Sequence, residues 1–282
     1  MNNKNVIEEI MKFNSLIILL TAVAALFVTA CGGGSQNAEQ AKEDKMEEIE
    51  TFVEKEFTYP LPSAFEVSQM LQNANTTYLS EIVNSPEKSD EYVATWQKAA
   101  NLGVYGADFN YAATFEKTQE TIDFLEVCKK LIDELNITSA FNATMAGRIE
   151  SNMDNLDSLI FIVTESFYDT YNYLNQNGEE KTSILVIGGS VIEGLHITCE
   201  LIKSSENKGE LMAVLAGQKA QVSKLVELME NHKEDENVGK LIPNLRYIQL
   251  IFDQLGAETE MTEGQFGDIS SGVKEMRDLI VG

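Results

Sequence analysis

ILVIGGSVIEGLHITCELI, residues 184–202, decides the fold class. Its first four residues, Ile184 to Ile187, are the apolar, largely β-branched kind that a buried strand would use. The apolar pattern then runs on past the ~4–8 residues of a strand with no turn signal, so the stretch reads as one long helix, about 183–202. Around it no period-2 alternation persists, no Asn-Gly pair separates two alternating runs, and prolines are few.

Working outward, the same period of three to four recurs. Met46, Ile49, Phe52, Val53 and Phe57 space a short amphipathic helix, which Tyr59-Pro60-Leu61-Pro62 breaks. Ser63, with Glu66 three residues on, has the capping-box pattern for a helix carrying Phe65, Met70, Leu71, Tyr78, Leu79, Ile82 and Val83 to about Asn84. Ser89 or Asp90 caps the next, which passes Tyr92, Val93 and Trp96 into LGVYGADFNYAATF, residues 102–115. Further helices are expected over 118–135, 139–153, 155–175, 210–230 and 266–281. Asn177-Gly178 marks one C-terminus and Pro243 the first turn of a helix running to Leu255. The expectation is an all-α, antiparallel multi-helix bundle of nine or ten helices over residues 46–282.

A duplication is also expected. Leu61-Pro-Ser-Ala-Phe65 resembles Ile137-Thr-Ser-Ala-Phe141, and Gly103 and Asp108 align with Gly188 and Glu193, which predicts helical repeats over 61–136 and 137–232.

The residues most in need of explanation are glycines and acids inside these helices. Gly103, Gly106, Gly188, Gly189 and Gly194 each forgo ~1 kcal/mol of helix propensity relative to alanine. Close helix crossing is the expected compensation, and room for a ligand the alternative. Asp108 and Glu193 lie in apolar runs, where an unpaired acid is costly, so each should pair, hydrogen-bond or keep its proton. Tyr105 and Tyr111 flank Asp108 three residues away on either side and share its face, and His196 shares the face of Glu193. These five residues form the candidate binding site. Glu193-x-x-His196 has the spacing of a di-metal ligand pair, but such bundles use it twice, and with two histidines in the chain the set is incomplete; no metal or cofactor is expected. Ser190 is no nucleophile elbow, because no strand precedes it. Tyr168, Tyr171 and Tyr173 form an aromatic face expected to be core and rim. Cys128 and Cys199 fall on apolar helix faces and are expected as buried thiols, although a disulfide is permitted outside the cytoplasm.

The N-terminus carries a different message. Lys12 precedes an apolar run from Leu16 to Val28, too short and wrongly flanked for a membrane span, and Gly32-Gly33-Gly34-Ser35 follows. The run reads as a cleaved signal peptide, residues 1–30, and Met11 makes a better initiator than Met1 because Glu8 and Glu9 precede the apolar core. Val28-Thr29-Ala30-Cys31 resembles the lipobox of bacterial lipoproteins. The resemblance implies cleavage before Cys31, diacylglycerol on its sulfur, acylation of its new amino group and attachment to a lipid bilayer. Residues 31–45 then read as a flexible tether. No Asp follows the lipid cysteine, which favours the outer membrane, with the periplasmic and surface faces both open. The rest of the chain resembles a set of all-helical lipoproteins of Bacteroidota carrying a stretch like Leu102–Asp108; that resemblance implies no activity.

The formal net charge is −24, which excludes nucleic acid as a partner of the general field. Three readings follow. The first is a non-enzymatic, outer-membrane-tethered helical module binding a small ligand or an envelope protein between the two glycine-bearing helices. The second is a hydrolase or metal-dependent enzyme using Asp108, Glu193 and His196. The third is a purely structural envelope protein.

Overall fold

The computed structural model describes residues 70–74, 76–137, 147–149, 151–152, 155–255 and 261–282, all within one compact unit spanning 49–282. The expected signal peptide, Cys31, the expected tether, the helix expected over 46–57, the expected Ser63 cap and both Ser-Ala-Phe anchors of the expected duplication lie outside the described residues. The fold is all-α, a multi-helix bundle, with no strand among the described residues. Its helices are α1 (Thr95–Thr114), α2 (Thr118–Glu134), α3 (Leu156–Gln176), α4 (Glu180–Ser204), α5 (Lys208–Gly217), α6 (Lys219–Glu230), the single turn α7 (Glu236–Gly239), α8 (Ile242–Asp253) and α9 (Glu263–Val281). A 3-10 turn spans Pro86–Asp90.

The ILVIGG run lies in α4, and α4 is the axis of the bundle. It packs along α1 and also touches α3, α5, α6 and α9. α1 has no solvent-facing side over most of its length: every residue from Ala99 to Thr114 is buried, the polar Asn101, Asp108, Asn110 and Thr114 among them. α2 is amphipathic instead, and lays Phe124, Leu125, Val127, Cys128, Leu131 and Ile132 inward against α1. By length and composition α4 is apolar enough to cross a membrane, but 72% of its apolar window is covered by its neighbours here.

The central crossing explains two of the glycines. A Cβ on Gly103 would stand 1.9 Å from the carbonyl oxygen of Val186, and one on Gly189 would stand 1.8 Å from that of Ala100. The contact is reciprocal: Gly103 sits against Val186 and Ser190, and Gly189 against Ala100 and Val104. The matching glycine in the second helix is therefore Gly189, one residue beyond the alignment of Gly103 with Gly188. Gly188 faces only the side-chain ends of Met229 and Leu225, and Gly194 faces open space, so close backbone crossing accounts for neither.

Local chemistry sets the helix ends. Asn155 caps α3 by accepting from Ser158 N at 3.0 Å. Thr262 and Gln265 form a reciprocal capping box at α9, at 3.2 and 3.0 Å, which starts that helix three residues before the expected Phe266. Pro243 sits in the first turn of α8 and Gly178 takes φ +77° just past α3, both as expected. Residues 210–230 are not one helix: the chain breaks at Gln218, whose buried amide donates to Thr198 Oγ1 on α4 at 3.1 Å.

The largest departure concerns residues 76–94. The pattern Tyr78, Leu79, Ile82, Val83 reads as helix, but the helix over 70–73 has ended, and the chain continues as an irregular strap into α1. Thr76 Oγ1 donates back to Leu71 O at 2.8 Å and closes the last turn. Pro86 holds Ser85 extended and starts the 3-10 turn. Neither Ser89 nor Asp90 caps α1; Ala94 precedes its first residue, and Tyr92 is tucked inward while Val93 is exposed. The strap's apolar spacing reflects inward-facing side chains on an irregular path.

Candidate functional site

The strap crosses the outer face of α1, α4 and α9, and the candidate residues meet it there. Its backbone groups cannot find helical partners, so side chains supply them. Leu79 N donates to Tyr111 Oη at 2.9 Å, and Asn84 N to Asp108 Oδ2 at 3.1 Å. Tyr105 Oη donates to Ser85 O at 2.7 Å. Spacing of three along α1 thus gives three consecutive partners for the strap, all from the face that the sequence marks out.

From α4, His196 Nε2 lies 3.0 Å from Ile82 O. A carbonyl only accepts, so this nitrogen carries the proton. The same oxygen accepts from Arg277 Nη2 on α9 at 3.2 Å. Arg277 also grips Glu193 with both prongs of its guanidinium, Nε to Oε2 at 2.7 Å and Nη2 to Oε1 at 2.8 Å. Glu193 is wholly buried and the Arg277 side chain is 15% exposed, which makes this the least exposed ion pair among those described. Glu193 and His196 therefore act together, but on Ile82 O and Arg277. They do not converge as ligands of a common centre, and the described residues hold no group of three or more His, Cys, Asp and Glu side chains placed to share a metal ion.

Asp108 and Glu193 come into direct contact, and both have no exposed surface. Burial, and then the neighbouring Glu193 carboxylate, push the Asp108 carboxyl well above the ordinary aspartate range, against the pull of Arg277. Burial lowers the pKa of His196, so its ring is neutral near pH 7. Burial works against the charge on Arg277, but Glu193 and then Asp108 outweigh it and hold the guanidinium above its usual value. Burial raises the phenols of Tyr105 and Tyr111, which stay protonated as hydrogen-bonding groups.

Four residues of this network escape a sequence reading. Asn84 Nδ2 donates to Tyr92 Oη at 2.9 Å and to Asn101 Oδ1 at 3.4 Å, and Asn101 Nδ2 donates to Ile280 O on α9 at 2.9 Å. Arg277 is the fourth, and one signal did point to it. An acid in an apolar run needs a cation, a guanidinium meets a buried carboxylate better than an ammonium does, and the chain has only three arginines.

A small apolar cavity of about 20 Å³, room for one water-sized molecule, lies between α1, α2 and α3 against Leu102, Phe109, Cys128 and Val163. None of Tyr105, Asp108, Tyr111, Glu193 or His196 lines it. Cys128 and Cys199 are both buried free thiols, and burial raises the pKa of each, Cys199 to about 12. Of the aromatic face on α3, Tyr171 and Tyr173 are half-buried; the side chain of Tyr168 lies outside the described residues. The chemistry open to this arrangement is retention of a proton and capture of an extended backbone segment. The chain matches no protein-family model, no curated protein and no solved structure.

Proposed function

We propose that the chain is a lipid-anchored, non-enzymatic helical module of the cell envelope, held at the outer membrane through Cys31 and meeting an envelope protein through its acidic surface. The observation that carries the reading is the apolar run Leu16–Val28 closing on Val28-Thr-Ala-Cys31, followed at once by a glycine-rich tether. Several acyl chains, each contributing ~0.8 kcal/mol per buried methylene, anchor far more tightly than one. Support for a partner at the surface, rather than a small ligand in the Asp108–Glu193 cluster, comes from how the cluster spends its polar groups. Both Glu193 oxygens, His196 Nε2 and Asp108 Oδ2 are taken up by Arg277 and the strap.

Labelling of expressing cells with radioactive palmitate tests the anchor. Label is expected on the wild-type protein and lost in Cys31→Ser; an unlabelled wild type, or one released to the medium, overturns the reading. The enzymatic reading retains one supporting fact, the proximity of Asp108, Glu193 and His196. Metal titration of purified protein checks its metal form: no gain in thermal stability is expected, and a stoichiometric gain abolished by His196→Ala would revive it.

A further inference from the structure

We propose that Asp108 and Glu193 share one bound proton at neutral pH, and that this proton latches the strap, residues 76–92, over α1, α4 and α9. The geometry demands a hydrogen where no donor supplies one. Asp108 Oδ2 accepts from Asn84 N, but its Oδ1 is buried with no hydrogen-bond partner. The groups that face Asp108 are Tyr105 and Tyr111 from α1, Cys128 from α2, Glu193 from α4, Arg277 from α9, and Tyr78 and Asn84 from the strap. The Tyr105 hydroxyl is committed to Ser85 O and that of Tyr78 to Glu120. Arg277 spends Nε and Nη2 on Glu193 and Ile82 O.

One guanidinium thus faces two touching carboxylates. A proton taken from solvent onto Asp108 Oδ1 and donated to a Glu193 oxygen satisfies the orphaned atom and brings the trio of Asp108, Glu193 and Arg277 to zero net charge. Two carboxylates in contact cannot both ionise cheaply away from water. Removing the proton leaves a net charge of −1 on the trio, with two buried acids competing for one arginine, the arginine that holds Ile82 O. The cheapest relief is for water to enter under the strap, because its backbone is held by isolated side-chain contacts, one each at Leu79 N, Asn84 N and Ser85 O and two at Ile82 O, rather than by a helical ladder. His196, which shares Ile82 O, itself faces Glu193, Arg277 and Glu200, so loss of that carbonyl frees both donors at once.

Amide hydrogen exchange of the purified full chain, corrected for intrinsic rates, tests the latch in wild type and Asp108→Asn from about pH 6 to about pH 9. The asparagine can donate to Glu193 and accept from Asn84 N with no proton to lose. In wild type, protection of strap peptides is expected to fall by up to about tenfold per pH unit once the shared proton leaves, while peptides of α6 and α8 hold. In Asp108→Asn the strap should stay protected throughout. Infrared spectra of wild type at pH 7 should show the carbonyl stretch of a buried un-ionised carboxyl, absent from the variant. Equal pH profiles for the two strap segments, a wild-type strap whose protection does not change with pH, or no un-ionised carboxyl at pH 7 would each overturn the proposal. The wild-type measurements decide it even if the variant does not fold.

Discussion

Glu116 stands at φ 56°, in the left-handed region, just after α1. It occupies the αL position of a Schellman motif: Lys117 N donates to Ala112 O at 2.9 Å and Glu116 N to Ala113 O at 3.0 Å. Asn136 at φ 58° and Gly178 at φ 77° serve the same motif after α2 and α3 with residues better suited to it. A glutamate there costs ~1–2 kcal/mol of backbone strain, partly offset because glycine loses more entropy on folding. Glu116→Gly should therefore raise the urea midpoint, by an amount worth about 0.5–1 kcal/mol. Arg277 is the opposite case. Arg277→Ala leaves Glu193 buried without its cation and should lower stability by about 3–5 kcal/mol in the same measurement. Lysine should recover only part, because one ammonium cannot span both Glu193 oxygens and Ile82 O. Asp108 and His196 pull the pH dependence in opposite directions. The folded-state pKa of Asp108 is raised, so its contribution to stability is whole below the ordinary aspartate value and is lost as pH rises toward the folded value. That of His196 is lowered, so its contribution is whole above the ordinary histidine value and is lost as pH falls through the folded one. Asp108→Asn should gain on wild type in urea titrations at pH 8, and the gain should vanish near pH 4.

Among the elements, the α1–α4 crossing separates glycines that look alike in sequence. Gly103→Ala and Gly189→Ala each place a methyl inside a backbone carbonyl of the facing helix. Each should lower stability by at least the ~1–3 kcal/mol of an overpacked core, because backbone cannot step aside as a side chain can. Gly194→Ala meets nothing within 4 Å and should be neutral, or gain up to ~1 kcal/mol of helix propensity. Thermal melts of the three variants check the set. The compensation expected for five helix glycines from sequence is thus real for Gly103 and Gly189 and absent for Gly194. Nothing in the run of residues 188–194 distinguishes them, since the distinction belongs to the register of the partner helix. The strap shows the same limit. Tyr78, Leu79, Ile82 and Val83 have helical spacing, yet Pro86 and the hydrogen bonds offered by Tyr111, Asp108 and Tyr105 draw that backbone out of a helix.

For the molecule as a whole, stability comes from one continuous apolar core that runs from Leu71 to Val281 and includes both thiols. Cys128 and Cys199 should therefore react with an aromatic disulfide reagent only as fast as the fold opens, and together in urea. Rapid labelling of either in native protein would show that the core around it opens locally. The all-α class, most helix centres, the helix end at Gly178, the first turn at Pro243 and the pairing of Tyr105, Asp108 and Tyr111 on one face were legible in the chain, because helical period and end signals involve residues within a turn or two of each other. The partners of those faces were not. Glu193 and Arg277 are 84 residues apart, Arg277 and Ile82 195 residues apart, and no local pattern encodes which of three arginines reaches a buried acid. Only the packing of α9 beside α1 and α4 brings two carboxylates, one guanidinium and a non-helical strap into a place without water, and it is the exclusion of water that turns a pair of ordinary acids into a site that holds a proton.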